Sequence, residues 1–172
     1  IKSVVWIAAG GSNGGNYPAQ YFMDREAKGI RSQMFTSNEF VYAPPKFVGR
    51  DTIAVVTSMR GTPETCVAAK VAKDLGAATI ALYVQESALT ETCDYKVKYD
   101  SIMFDESDQS QTNAALGMRI AMDIVDIVEG YEFYDDAMAA YDILDKVYND
   151  AKAYCMPLAE KWAYQKDRKS VV

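Results

Sequence analysis

The sequence predicts an α/β fold with a parallel sheet that is covered by helices on both faces. Through about residue 99, short apolar and β-branched runs alternate with segments of helical pattern. Two of these runs end in loops rich in hydroxyl groups and glycine, and from about residue 110 the pattern is helical. Because such alternation is typical of parallel sheets with covered faces, we expect a five-stranded parallel sheet followed by a C-terminal helical extension.

The strands and helices of the sheet region can be assigned in chain order. Each expected strand is an apolar or β-branched run bounded by turn residues, and the five lie at residues 3–9, 30–36, 52–57, 78–84 and 95–99. The expected helices are about 17–28, 63–75 and a short helix near residue 88, with a short turn or helix at 37–40. The helix 63–75 has the clearest limits, with Thr62 as its N-cap, Pro63 at its first position and Gly76 at its end.

The residues after Ser110 predict two further helices. The first ends at Gly130 and has an apolar stripe made of Leu116, Ile120, Ile124 and Ile127. The second begins near Tyr134, and Pro157 should kink or divide it. The second helix has an apolar face made of Leu144, Val147, Ala151, Tyr154, Leu158 and Trp162. We interpret both stripes as core or partner-facing surfaces rather than as ligand sites.

Composition and charge limit the possible function classes. The 172 residues, 49% of them hydrophobic, suit one domain plus an extension, and the net charge of −6 argues against nonspecific nucleic-acid binding. No apolar run reaches membrane-spanning length, so we expect neither nucleic acid nor membrane as partner. Three cysteines without close spacing indicate reduced thiols and a cytoplasmic location. The absence of histidine removes imidazole as metal ligand or acid–base group and leaves carboxylates, tyrosine and lysine for proton transfer.

Two loops suit the binding of a phosphate group. The residues G-G-S-N-G-G, from Gly10 to Gly15, follow the first strand, and T-S-M-R-G-T-P-E-T, from Thr57 to Thr65, follows the third. Since parallel strands end at one edge of the sheet, both loops should meet where ligands of open α/β sheets bind. Hydroxyl groups and free N–H groups at a helix N-terminus favour an anion there. For either loop alone, ordinary turn and capping chemistry is the alternative.

The two ends of the sequence carry the same four residues. Lys2-Ser3-Val4-Val5 opens the first strand, and the same letters recur from Lys169 to Val172, while the chain starts at Ile1 rather than Met. We interpret the chain as one half of a duplicated protein. The expected domains are a sheet domain at 1–108, a helical extension and connector at 109–167, and the start of a second repeat at 168–172.

These motifs resemble the sugar isomerase (SIS) domain family. The strand ending in A-A-G-G-S, the segment S-N-E-F and the loop T-S-M-R-G-T-P-E-T resemble three motifs of that family. The later G-Y-E-F-Y-D-D, from Gly130 to Asp136, and the spacing of all three motifs resemble a narrower branch, the fructosamine-6-phosphate deglycases. The resemblance covers essentially the whole chain. It implies a flavodoxin-like three-layer sandwich, a sugar-phosphate ligand, no metal or other cofactor, a second SIS domain in the same protein, and a homodimer or higher homo-oligomer.

The resemblance also implies site residues. The phosphosugar-binding residues would be Gly10, Gly11, Ser12, Asn13, Thr57, Ser58, Arg60 and Thr62. Met59 and Arg60 stand where the family usually has serine and glycine, and Arg60 should lie either at the phosphate or in solvent. Glu39 is the candidate catalytic residue, with a structural role as the alternative. Tyr42 occupies the place of the family's catalytic histidine, so this half resembles the non-catalytic copy.

The function implied is that of the phosphosugar-binding half of a fructosamine-6-phosphate deglycase. Such an enzyme converts an amino-acid Amadori 6-phosphate into glucose 6-phosphate and free amino acid, by enolamine proton transfer and imine hydrolysis. A ketose–aldose isomerase or an aminotransferase-type isomerase is an alternative, because it uses the same enediol chemistry. A non-catalytic module that senses sugar phosphates is a second alternative.

Overall fold

The computed structural model describes residues 1–101 and 108–163. The strands are β1 (Ser3–Ala8), β2 (Arg31–Thr36), β3 (Thr52–Thr57), β4 (Ala78–Tyr83) and β5 (Tyr95–Lys98). The helices are α1 (Gly11–Glu26), α2 (Ser37–Tyr42), α3 (Pro63–Asp74), α4 (Ala88–Thr92), α5 (Asn113–Glu129), α6 (Tyr134–Asp142) and α7 (Leu144–Ala163), with a 3₁₀ turn at Gln109–Gln111. The predicted α/β class and the order of strands and helices are confirmed.

The five strands form one parallel sheet in the order β2-β1-β3-β4-β5. The inner strands β1 and β3 are buried along almost their whole length, because helices cover both of their faces. The outer strands β2 and β5 are largely exposed, as their more polar sequences R-S-Q-M-F-T and Y-K-V-K require. The sheet therefore has a buried apolar centre at β1 and β3 and two polar outer strands.

The direction of the crossovers decides which helix covers which face. The chain moves from β1 to β2 on one side and then returns past β1 to β3, so right-handed connections place α1 on the face opposite α2, α3 and α4. One core cluster accordingly joins Val5 and Ile7 of the sheet to Phe40 of α2 and to the alanines of α3. The predicted three-layer arrangement is thus confirmed.

Helix α5 packs on α1 and completes the second face. A Cβ added at Gly117 would lie 3.8 Å from the Cβ of Ala19 and 3.9 Å from the Trp6 ring, so the two helices approach closely. The buried residues of α5 are Ala115, Gly117, Ala121, Met122, Ile124 and Val125. Of the predicted stripe, Ile124 is buried, whereas Ile127 is 81% exposed and does not belong to the core. Small residues form the contact because they allow the close approach, whereas the prediction followed the bulky side chains.

Helix α1 begins six residues before its predicted start. Gly10 caps it with φ +56°, and the Asn13 N–H donates to the Gly10 carbonyl at 3.0 Å, so the predicted glycine loop is the first part of the helix. Glycine disfavours helix in isolation. Here a Cβ at Gly15 would lie 2.0 Å from Asn113 Nδ2 of α5, so the Asn113 side chain would have to move if residue 15 were larger.

The chain divides into two compact units, residues 1–134 and 135–172. The first unit extends past the expected boundary at Asp108 and includes α5. In the second unit α6 and α7 are separated at Ile143, and α7 continues through Pro157, so the proline does not divide the helix and the kink stays a prediction. The expected start of a second repeat at 168–172 lies outside the described residues. Among the described helices, none is long and apolar enough to cross a membrane.

Candidate functional site

The candidate site lies at the carboxyl edge of the sheet, between β1 and β3. These strands are neighbours, but the chain continues from β1 to β2 on one side and from β3 to β4 on the other side. Their ladder ends with Ala8 opposite Thr57, so the residues that follow each strand emerge side by side. Ligands of open α/β sheets bind at such a switch point, and in the 2-1-3-4-5 strand order it falls between these two strands.

A pocket with a volume of about 300 Å³ opens at this point. Its lining residues come from both loops and are Ala9, Ser12, Ser58, Met59, Arg60 and Thr62. The structure therefore brings together four residues that the resemblance implied as phosphosugar-binding, namely Ser12, Ser58, Arg60 and Thr62. Arg60 is exposed and is the charged member of this lining. An anion would find one cation and three hydroxyl groups in the pocket.

The β3–α3 loop is held in place by hydrogen bonds of Ser58 and Met59. Ser58 Oγ accepts the N–H groups of Gly61 and Thr62, each at 3.1 Å. The Met59 carbonyl accepts the N–H groups of Val84 and Gln85 beyond β4, at 3.2 and 3.0 Å. A hydroxyl that accepts two hydrogen bonds still has its O–H to donate, so Ser58 can donate to a phosphate oxygen from a fixed position.

Thr62 caps α3 with its backbone but not with its side chain. The Thr62 carbonyl accepts the N–H groups of Thr65 and Cys66, both at 3.0 Å, while the Thr62 hydroxyl lies 2.8 Å from the Thr65 hydroxyl. The Thr65 hydroxyl in turn lies 2.8 Å from that of Ser37, at the start of α2. This chain of hydroxyl groups ties the start of α3 to the start of α2 beneath the pocket.

A second pocket, of about 360 Å³, adjoins the first. It shares Ala9, Ser12 and Met59 with the first, and its other lining residues are Gly11, Tyr99, Ser101 and Asn113. The Tyr99 hydroxyl shares a hydrogen bond with Ser12, and burial raises the pKa of Tyr99 above its usual value although this bond opposes the rise. Tyr99 is therefore a neutral group at pH 7, suited to hydrogen bonding.

Sequence reasoning did not single out Tyr99, Ser101 or Asn113. Tyr99 and Ser101 follow β5 at the same edge as the two loops, and Asn113 begins α5. The argument that parallel strands end together applies to β5 as well as to β1 and β3. Extending it to β5 would have identified Tyr99 and Ser101, whereas Asn113 depends on how α5 packs against α1.

Three other candidates do not line either pocket. Thr57 is fully buried and donates its hydroxyl hydrogen to Asn16 Oδ1 at 2.8 Å. Asn13 lies in the first turns of α1, with its Oδ1 enclosed. Gly10 caps α1, and its φ of +56° is one that favours glycine.

Glu39 also lies outside both pocket linings. It is exposed near the start of α2, where Glu39 Oε2 accepts the Thr36 N–H at 3.3 Å and Thr36 Oγ1 accepts the Glu39 N–H at 3.4 Å. This reciprocal pair is a capping box, a structural arrangement for the start of a helix. Tyr42, at the end of the same helix, is 85% exposed.

Metal ligands are not grouped in the part of the chain that the structure describes. Within residues 1–101 and 108–163, no set of three or more histidine, cysteine, aspartate or glutamate residues could hold a metal ion. Burial raises the pKa of the Cys93 thiol to about 11 and also raises that of Cys66, so neither is a ready thiolate at neutral pH. The groups offered at the sheet edge are hydroxyls, amides and one guanidinium.

Comparison with known proteins gives a consistent result, although no family model matches the chain. Fructosamine deglycase FrlB of Bacillus subtilis (strain 168) is 32% identical over 174 residues, which is 100% of this chain and 52% of that protein. The chain thus spans about half the length of the curated relative it matches.

Solved structures agree with this match. A proposed phosphosugar isomerase from Salmonella typhimurium LT2 has a TM-score of 0.92 and 36% identity, over 95% of this chain and 50% of that one. A second from Bacillus subtilis has a TM-score of 0.90 and 32% identity over the same shares. The Vibrio vulnificus NanR protein, which is 16% identical with a TM-score of 0.56 and shares only the fold, was solved with ManNAc-6P, a sugar phosphate. Given the 2-1-3-4-5 sheet, the pocket between β1 and β3 and these matches, the chain belongs to the sugar isomerase (SIS) domains of the phosphosugar isomerase type and resembles half of a fructosamine deglycase.

Proposed function

We propose that this chain is the phosphosugar-binding half of a fructosamine-6-phosphate deglycase. The observation that carries the proposal is the pocket at the β1/β3 switch point, where Ser12, Ser58, Arg60 and Thr62 converge. Similarity to a fructosamine deglycase along the whole chain supports this substrate class over other sugar phosphates.

The pocket offers the phosphate a local positive field in a chain of net charge −6. Helices α1 and α3 both begin beside it, and the first N–H groups of a helix carry partial positive charge towards an anion. Arg60 adds a full charge, and Ser58 and Ser12 add O–H donors. Binding at the phosphate would hold the distant reacting carbons in place, which is how remote binding energy serves catalysis.

The proposed reaction needs an acid–base pair in addition to this pocket. A base removes a proton from C1 of the Amadori compound, reprotonation at C2 leaves an imine at C1, and water releases the amino acid and glucose 6-phosphate. The chain contains no histidine, and Glu39 is held in a capping box outside the pocket lining. We therefore place the proton transfer in a second SIS domain of the same protein, in a cytoplasmic homo-oligomer that uses no cofactor.

Titration calorimetry tests the binding part of the proposal. A fructosamine 6-phosphate should bind, and the same compound without its phosphate should bind at least about tenfold more weakly, a difference of about 1.4 kcal/mol. Arg60→Gln should weaken binding about fivefold, the value of roughly 1 kcal/mol expected for an exposed ion pair.

Arg50→Gln is the matched control, since Arg50 is also exposed but precedes β3 at the opposite edge of the sheet. It should leave the affinity unchanged. Equal binding of the phosphorylated and unphosphorylated compounds would contradict the proposal. Product analysis of the full-length protein tests the reaction, because a product that retains the amine would exclude a deglycase.

A further inference from the structure

A buried polar pair lies directly beneath the candidate pocket. Asn16 of α1 and Thr57 of β3 are both 0% exposed, and the Thr57 hydroxyl donates to Asn16 Oδ1 at 2.8 Å. Among the described residues, Asn16 Nδ2 has no hydrogen-bond partner. An unpaired buried N–H group costs about 1–3 kcal/mol, so an apolar pair would serve the core better. Stability alone therefore does not explain this asparagine.

The position of the pair suggests what it does. Asn16 follows Ser12 by four residues, one turn of α1, so the two lie on one side of the helix. Thr57 is the last residue of β3 and is followed immediately by Ser58. The paired residues of the β1–β3 ladder end at Ala8 and Thr57, before either pocket serine. The Asn16–Thr57 bond thus joins the two segments that carry the pocket hydroxyls, just below the level of the pocket.

We propose that Asn16 is a positioning residue that fixes Ser12 relative to Ser58 through its hydrogen bond to Thr57. Thr57, which the family resemblance implied as a phosphosugar-binding residue, acts through Asn16 and not at the phosphate. With its hydroxyl already donated and its side chain enclosed, Thr57 would have to break this bond to reach a ligand. This inference rests on the proposed function, because the two serines matter as a pair only if one ligand contacts both.

The test is a double-mutant cycle on the affinity for a fructosamine 6-phosphate, measured by calorimetry. Asn16→Ala and Thr57→Val should each lower the affinity about fivefold, and the double variant should lose no more than either single variant, since both remove one interaction. Thr57→Ser keeps the hydroxyl and should retain most of the affinity. It also supplies a well-folded comparison if a larger change proves unstable.

Thr52→Val is the matched control for a purely structural effect. The Thr52 hydroxyl lies 2.8 Å from that of Ser3 on β1, and Thr52 is 1% exposed, but it lies at the other end of β3, at the opposite edge of the sheet. This variant should lose stability in urea unfolding, as Thr57→Val does, and keep its affinity for the ligand. If Thr57→Val also keeps its affinity, the positioning role is refuted.

Two further outcomes separate the remaining explanations. If Thr57→Val weakens binding as much in the Asn16→Ala background as in the wild type, Thr57 contacts the ligand itself and the inference is wrong. If the wild-type chain fails to bind the phosphorylated compound, the proposed function fails. NMR spectra without ligand then test whether the Asn16–Thr57 hydrogen bond links Ser12 to Ser58. Thr57→Val should shift the amide signal of Ser12, and Asn16→Ala should shift that of Ser58. If neither signal moves, the positioning role is refuted.

Discussion

The Glu129 side chain at the end of α5 binds the turn between α1 and β2. Loss of its carboxylate should lower the stability of the sheet domain. Glu129 Oε2 accepts the Lys28 N–H and Oε1 accepts the Gly29 N–H, each at 2.6 Å. Two short bonds from backbone amides to one carboxylate are of the charge-assisted kind. Glu129→Gln keeps the shape of the side chain but loses the charge and one acceptor.

The expected loss follows from the number and exposure of these bonds. A hydrogen bond to a charged group contributes about 1.5–3 kcal/mol, and because this site is largely open to solvent we expect a total near the lower figure, about 1.5 kcal/mol. For a chain of 172 residues, this corresponds to a fall in Tm of about 3–6 °C. Thermal unfolding followed by circular dichroism measures it.

The pH dependence gives a sharper test. Hydrogen bonds from the Lys28 and Gly29 amides lower the pKa of Glu129 below its ordinary value. A lowered folded-state pKa contributes stability that is present above the unfolded pKa, about 4.3, and is lost as the pH falls through the folded value. The difference in the free energy of unfolding between the wild type and Glu129→Gln should therefore become smaller below about pH 4. Glu132→Gln, at an exposed position three residues later, is the control. Equal stability of both variants at pH 7 would refute the reasoning.

Three further predictions concern the pocket loop, the thiols and activity. Gly61→Ala should lower the free energy of unfolding by more than Gly76→Ala. Both glycines have a positive φ, which costs a larger residue about 1–2 kcal/mol, but only at Gly61 would the new Cβ lie 2.6 Å from the Ser87 Cβ. Equal urea midpoints of the two variants would contradict this. A thiol reagent at pH 7.5 should label exposed Cys155 well before Cys93, whose pKa burial raises to about 11, as peptide mass spectrometry can show. The isolated chain, lacking histidine, should turn over a fructosamine 6-phosphate far below about 1 per second, and a normal enzymatic rate would show that the proton transfer lies in this half.

The strands were predictable because the inner strands are uninterrupted apolar runs. Trp6 and Val55 lie in segments that read as buried strands by composition alone, and the structure confirms both positions. The limits of α3 followed from Pro63 and Gly76, whose effects on a helix end are local. Features set by neighbouring residues along the chain were therefore accessible from the sequence.

What the sequence could not provide depends on contacts between distant elements. Gly15 of α1 faces the Asn113 side chain of α5, and Gly117 on the buried face of α5 faces Ala19 of α1. In the site, strand order placed the two loops together, but Asn16 and Asn113 are recognisable only once α1 and α5 are packed at that edge. Propensity scales favour neither glycine at these helix positions, so tertiary packing overrides them.

The polar edges of the sheet have a consequence for how the protein behaves at high concentration. Within residues 1–101 and 108–163, no strand pairs with the outer sides of β2 and β5, and an open sheet edge presents backbone groups to which a strand of another molecule could add. At one edge β5 has only four residues, and Lys96 and Lys98 are both exposed on it. At the other edge β2 carries exposed Arg31 and Gln33. Short length and charge at the outer strands oppose strand addition, so association between copies of this chain should occur through helices, and fibrillar aggregation through the sheet is disfavoured.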